Sequence, residues 1–524
     1  MKRLFVMMFA VVICFGVIAT DVSARDYVVV VIPFDKLNKT KSKDLDMLKR
    51  GISETLSGAL SSAEKMIIID SSRVKRYLFD QIKFKQVIGA DDSKDMEKLR
   101  KATQKKLKGD YLVYGNFMKI GNQIQITAKF MKVKSGKVVK AASVHGQYPK
   151  EIFALQEKLA KKLIESITGK KATSENRKKI KEYTNSTKNY DAYKYYIKGR
   201  MQQIKYDVNY YPQAIRNYKK ALDIDPTYAL AWAGLSEVNA LWGYRMKYAK
   251  QPWRDYINRA IRQGKKAVQF GSNLYQAHKA LSVAYLNKRN FKASQRSIDR
   301  AYSLNRDDAE VLYMKAQLKN YGSKKVAVYG SEANRYIRRA LRNNPDLIIA
   351  RWSYALGFAR LKKYHRAIRE YKKILPINPN HAPVLNNISS SYYSLKDYDN
   401  AIKYGRRAVN TGSKTAQHHY NLALAYYVKN RLTEAERSFK NAIKYNKRYE
   451  KAWLFLAHTY YKGKRWNKAI RAYDQVLSRF PNNYKAKKWK RYAQQKKRGN
   501  TKRYYNNNRD NADTYNDNRG GGGW

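Results

Sequence analysis

Residues 450–483 read EKAWLFLAHTYYKGKRWNKAIRAYDQVLSRFPNN. Within this stretch Trp453-x2-Leu456-Ala457-x2-Tyr460 is followed by Ala469-x3-Tyr473 and then Pro481. Apolar and small residues fall twice at helical spacing, and the proline closes the second run. One period upstream the same grammar gives His419, Leu422, Ala423, Tyr426, Ala435 and Phe439, and one period earlier Leu385, Ile388, Ser389, Tyr392 and Ala401. Ala367, Ala401, Ala435 and Ala469 stand 34 residues apart. Weaker copies run through His278, Leu281, Ser282, Tyr285 and Ser294, and through Trp232, Leu235 and Ser236; Ala214-x3-Tyr218-x2-Ala221 with Pro226 closes the first. Small residues let the two helices of a unit approach, and Leu456, Tyr460 and Tyr473 fill the space between neighbours. One such unit cannot bury its own apolar face, so the units must stack.

This period and pattern resemble the tetratricopeptide repeat. About eight units are expected over 190–483, with insertions near Trp242–Trp253 and Lys319–Ser331 and a polar-faced capping helix over 484–498. The resemblance implies a concave surface that holds a protein segment. By family register its groove-facing positions include Lys279, Trp352, Asn386, Ser390, Tyr393, Tyr420, Tyr427, His458 and Tyr461. Tyr and Asn suit peptide contacts because they bury area and keep a hydrogen-bonding end. The Lys/Asn carboxylate clamp of some family members is not recognisable as a set.

The N-terminal third has a different rhythm. Tyr27–Phe34 (YVVVVIPF) and Lys65–Asp70 (KMIIID) read as strands, the first buried on both faces. Asp110–Lys119, Gln123–Val133 and Lys137–His145 read as a meander turned at Gly121-Asn122 and Ser135-Gly136. Helices are expected over Ser42–Ser62, after a Ser71-Ser72 cap through Val74, Leu78 and Ile82, over Met96–Leu107, and over Lys150–Ile167. The expected fold class is an N-terminal α/β sandwich, α+β in element order, followed by an all-α superhelix. The runs VVVVIPF, IIID, GDYLVYGNF, ITAKFMKVKSGKVV and FALQEKLAKKLIESI resemble the amino-terminal domain of TolB and the related α/β domain of CsgG-type curli-secretion proteins. That resemblance implies work in the bacterial envelope. No β-propeller pattern follows the domain.

The remaining boundaries come from the ends. Lys2 and Arg3 precede an apolar run to Ala19, and Asp21-Val22-Ser23-Ala24 offers a cut site, so 1–24 reads as a secretory signal. The α/β domain is then 25–170, a linker 171–189, and the polar, Asn-rich, Gly-ended stretch 499–524 a disordered tail. Cys14 is the only cysteine and would leave with the signal, which excludes a disulfide framework and cysteine catalysis.

Among 524 residues, 108 Lys and Arg stand against 41 Asp and Glu, a formal net charge of +67. The extreme is Lys485, Lys487, Lys488, Lys490, Arg491, Lys496, Lys497 and Arg498, an acid-free basic surface attractive to anionic lipid or lipopolysaccharide at about 1 kcal/mol per residue. An exported chain with no nucleic-acid module is not expected to bind nucleic acid. HExxH, GxSxG, GxxxxGK[ST] and GxGxxG are all absent, and the seven histidines are scattered, so no enzyme, cofactor or metal is expected. The sequence therefore points to a periplasmic, outer-membrane-associated scaffold that binds envelope proteins in its groove and docks through its α/β domain to an envelope assembly or to another copy of itself as a homo-oligomer. The alternatives are a component of an outer-membrane secretion system and, third, a cell-wall-active enzyme.

Overall fold

The structure is a computed structural model and describes residues 27–32, 34–37, 43–61, 66–69, 93–107, 109–248, 252–321, 331–412 and 415–498. The expected signal 1–24, the helix after Ser71-Ser72 and the tail 499–524 lie outside them.

The valine run forms β1 (Tyr27–Val31) in the middle of a sheet. It pairs in parallel with β3 (Met66–Ile69) and with β4 (Tyr111–Ile120). β5 (Gln123–Lys132) and β6 (Val138–Gln147) extend the sheet as an antiparallel meander, and the two-residue β2 (Asp35–Lys36) pairs with β4. Gly121 (φ +55°) and Gly136 (φ +69°) supply the left-handed corners between β4, β5 and β6. Val29, Val30, Val31 and Ile32 are fully buried because helices cover both faces. On one face lie α1 (Lys43–Leu60), α3 (Ile152–Thr168) and α4 (Ser174–Thr184). On the other, α2 (Ser93–Ala102) and a π-helical turn (Thr103–Leu107) place Leu99 and Leu107 against Val30, Ile32 and Leu112.

α4 occupies the stretch 171–189 expected to be a linker. Thr173 caps it by accepting from the Asn176 amide at 3.1 Å, and Ile180 is fully buried. Asn185 donates to Glu157 of α3 at 2.8 Å, and Glu182 accepts from the Asn273 amide at 3.1 Å. A helix tied to both sides is a joint rather than a spacer, and one apolar core runs without break from Val29 to Ala280.

Among the described residues sixteen helices follow in eight antiparallel pairs between Tyr190 and Arg479, and the helix Tyr484–Lys497 packs on the last pair. Ala367, Ala401, Ala435 and Ala469 are fully buried at the helix crossings. Tyr371, Phe439 and Tyr473, each four residues on, are also fully buried. Lys362, Lys396, Asn430 and Lys464 repeat at the same interval with φ between 56° and 63°. Each lets the next amide reach back five residues, as Asp397 does to the Tyr392 carbonyl at 3.0 Å, which closes the first helix of the pair.

Two glycines of α1 make the joint close. A Cβ on Gly58 would stand 2.0 Å from Cζ of Tyr183, and one on Gly51 2.7 Å from the Tyr193 hydroxyl. Thr55 Oγ1 lies 2.7 Å from that same hydroxyl. Tyr183 is itself buried and cannot swing away. Gly58→Ala is therefore expected to destabilise the chain by about 1–3 kcal/mol in urea denaturation. A midpoint equal to wild type would show that the two parts do not meet at this glycine.

Candidate functional site

The inner wall of the superhelix is the surface that the repeat geometry offers to a partner, and the chain itself fills much of its first half. The turn 204–210, between helices Tyr190–Gln203 and Tyr211–Ile224, points inward. Tyr206 is buried there with φ +49°, and its hydroxyl donates to Glu310 Oε1 at 2.6 Å. Its ring joins the core of Leu312, Tyr313, Ile348 and Val384, three and more repeats further on. Asn378 donates to Asp207 at 3.2 Å. The helix Ser331–Asn343 comes round to touch β3.

This closure corrects the register-based groove. Lys279 is buried, with Nζ 3.1 Å from Glu237 Oε2 and also paired to Glu310. Arg200 reaches Glu310 at 3.3 Å and Glu54 at 3.8 Å. Burial works against the Lys279 ammonium, but Glu237 and Glu310 outweigh it and hold its pKa above the ordinary lysine value. Burial likewise opposes the Glu310 carboxylate, yet Lys279 and Arg200 hold it far below the usual range. At Glu237 burial dominates and raises the pKa despite Lys279. Trp352 is buried too, 5.6 Å from the His381 ring and 5.1 Å beneath the Arg245 guanidinium.

The last three pairs keep part of the wall open. Three of the expected groove residues turn out to be packing or bracing groups. Tyr420 is buried 4.9 Å from Tyr449 and 5.8 Å from Phe439. His458 is buried with Nδ1 2.6 Å from the Tyr473 hydroxyl and its ring 5.2 Å from Trp489; burial lowers its pKa to about 3. Asn386 is buried and accepts from Asn421 at 3.0 Å, linking two successive first helices. Ser390, Tyr393, Tyr427 and Tyr461 remain half-buried. Tyr461 stands between Trp466 at 5.2 Å and Trp489 at 5.0 Å, and Tyr393 packs edge-on to Tyr398 at 5.5 Å. Lys462 lies 4.6 Å over the Tyr427 ring and donates to the Tyr427 carbonyl at 2.8 Å.

Lys462 and Trp489 were not among the residues expected from register. The signal for Lys462 was its place next to Tyr461, and that for Trp489 its spacing within the end helix. Of the basic residues on that helix, Lys487, Lys488, Arg491, Lys497 and Arg498 are exposed, while Lys485, Lys490 and Lys496 are half-buried. Lys490 pairs with Asp474 at 2.6 Å. Residues 382–498 carry 27 Lys and Arg against six Asp and Glu. Among the described residues no group of three His, Cys, Asp or Glu side chains is arranged to hold a metal ion. Nor is any described helix long and apolar enough to cross a membrane.

Residues 382–410 and 429–488 each match a tetratricopeptide repeat family profile. The chain thus carries tetratricopeptide repeats, of the class that serves protein interaction. Among solved structures, PilF of Pseudomonas aeruginosa matches at 13% identity over 42% of this chain and 97% of its own, with a TM-score of 0.37. PilW, a type IV pilus biogenesis factor, matches at 16% identity over 41% and 97%, with a TM-score of 0.37. The Cut9-Hcn1 hetero-tetramer of the APC/C matches at 15% identity over 66% and 63%, with a TM-score of 0.45. No curated protein matches the chain. None of the structures named here is a TolB or CsgG-type protein, and the comparisons lend that resemblance no support.

Proposed function

We propose that this chain is a non-catalytic protein-binding scaffold of the bacterial envelope, and that the open wall of its last three repeats holds an extended, acidic segment of a partner protein. The observation that carries this reading is the row Ser390, Tyr393, Tyr427 and Tyr461, half-exposed along successive first helices in a stretch with a large excess of positive charge. Half-exposed tyrosines supply contact area at low entropic cost, and the surrounding lysines favour carboxylates through a screened, salt-sensitive field. The sheet domain, which resembles those of TolB and CsgG-type proteins, docks the scaffold to an envelope assembly. The export reading of residues 1–24 supports that location. The exposed lysines of the end helix favour a second contact with anionic lipid or lipopolysaccharide.

A photo-crosslinker at Tyr427 in intact cells is expected to trap a partner protein through an acidic segment. The Tyr393, Tyr427 and Tyr461 triple alanine variant is expected to bind that segment at least tenfold more weakly, as is wild type in about 0.5 M salt. A partner that binds the variant as tightly as wild type, or no adduct at all, would sink the proposal.

A further inference from the structure

The turns that end the first helices hold a conformation that their side chains do not favour. Lys362, Lys396, Asn430 and Lys464 have φ of 57°, 63°, 60° and 56°. Glycine or asparagine takes this left-handed backbone readily, whereas a lysine takes it against crowding at its Cβ. The attraction of cations to a helix C-terminus does not account for the choice. Lys363, Lys429 and Arg465 stand beside the same turns with φ of −84°, −71° and −87°, and they supply that charge without strain.

The strained turns are tied to the open wall. The amides of Lys396, Asn430 and Lys464 donate to the carbonyls of Tyr393, Tyr427 and Tyr461 at 3.0, 3.2 and 3.0 Å. A tyrosine and a left-handed turn thus form one unit, repeated on successive first helices. Where asparagine replaces lysine in the unit, the next repeat brings the cation. Lys462 lies 4.6 Å over the Tyr427 ring and gives one of its three ammonium protons to the Tyr427 carbonyl. Neighbouring cations are engaged within the chain, Lys429 with Asp399 at 3.1 Å and Arg465 with Glu436 at 2.7 Å. Lys396 and Lys464 are exposed, and no carboxylate among the described residues pairs with either.

The spacing of the units sets a ruler. Successive first helices touch, as the Asn386–Asn421 hydrogen bond shows, and packed helices lie about 8–10 Å apart. An extended peptide covers that step in about three residues, at roughly 3.1–3.3 Å each. We propose that Lys396, Lys462 and Lys464 read the partner segment by spacing: they take an extended peptide whose carboxylates recur at every third residue, one for each unit. This rests on the reading of the wall as the seat of an acidic segment, and it adds the pattern that the segment must carry.

Three labelled peptides of one composition, with three glutamates set at intervals of two, three or five residues among serines and glycines, test this. Each is titrated by fluorescence anisotropy against the whole chain at low ionic strength. The interval-three peptide is expected to bind at least tenfold more tightly than the other two. Lys396→Gly and Lys464→Gly keep the backbone conformation and relieve its crowding, so neither should lower the melting temperature. Each should still weaken the interval-three peptide at least fivefold. Lys447→Gln removes an exposed charge ahead of the helix Glu450–Lys462, at the end away from the turns, and should leave affinity within twofold. Equal affinity for the three peptides, all weakened by the Tyr393/Tyr427/Tyr461 alanine variant, would overturn this inference and leave the acidic-segment reading standing. Unchanged affinity in both glycine variants would also overturn it. No saturable binding of any of the three at millimolar concentration would overturn both.

Discussion

Lys279→Met is expected to lower the unfolding free energy by about 3–5 kcal/mol, because it leaves Glu237 and Glu310 buried without their shared counter-charge. The methionine chain keeps most of the packed volume, so the loss reads charge rather than cavity. An exposed pair such as Lys440–Glu436, with the lysine more than half exposed, is expected to give at most about 1 kcal/mol when broken. The pH dependence has a definite sign. Lys279 has a raised folded pKa, so its contribution is full below the ordinary lysine value and fades as the pH rises past it towards the folded pKa. Glu310 has a depressed one, so its contribution is full above the ordinary carboxylate value and fades as the pH falls. Chemical denaturation at pH 7 that shows less than about 1 kcal/mol between wild type and Lys279→Met would refute the buried-cluster account.

Acid is the second large lever. His381 is held at about 4, His418 at about 3 and His458 at about 3, in each case chiefly by burial, against the ordinary imidazole value of 6.5. Each is buried neutral. Its contribution is therefore intact above pH 6.5 and lost as the pH falls towards the folded value. At pH 5 that amounts to about 2 kcal/mol for each, or about 6 kcal/mol for the three, a large share of a typical folding free energy. Cooperative unfolding is expected between pH 6 and about 4. His458→Asn, which retains an acceptor near the Tyr473 hydroxyl, is expected to be less stable at pH 7.5 and to lose about 2 kcal/mol less on acidification to pH 5. A wild-type melting curve that does not change between pH 7.5 and 5 would show that these imidazoles are not buried neutral.

What was legible in the sequence is what is local. The alanines at 34-residue intervals mark helix crossings because only a small side chain fits there, and all four prove fully buried. Gly121 and Gly136 mark the sheet corners because the backbone turns left-handed at both. The groove was legible only in part. Register placed nine side chains on the inner wall, and Lys279, Trp352, Asn386, Tyr420 and His458 are buried there. For Lys279 the cause is a carboxylate that comes from Glu310, 31 residues on, and a turn at Tyr206 that reaches Glu310 across 104 residues. A repeat pattern specifies neighbours along the stack and says nothing about contacts across the bore. The helix Ser174–Thr184 is not legible because its composition is polar: its buried face is Asn176, Ile180, Tyr183 and Thr184, of which only Ile180 and Tyr183 read as apolar. Its apolar partner is α1, far away in sequence.

The unbroken core from β1 into the third pair gives the molecule a sense of direction. One end of the coil is welded to a rigid plate, while the other is finished by a single lysine-rich helix with buried anchors at Ala486 and Ala493. Unravelling under load or protease should therefore begin at the far terminus and travel back unit by unit. The segment offered to a partner is thus also the first to come loose.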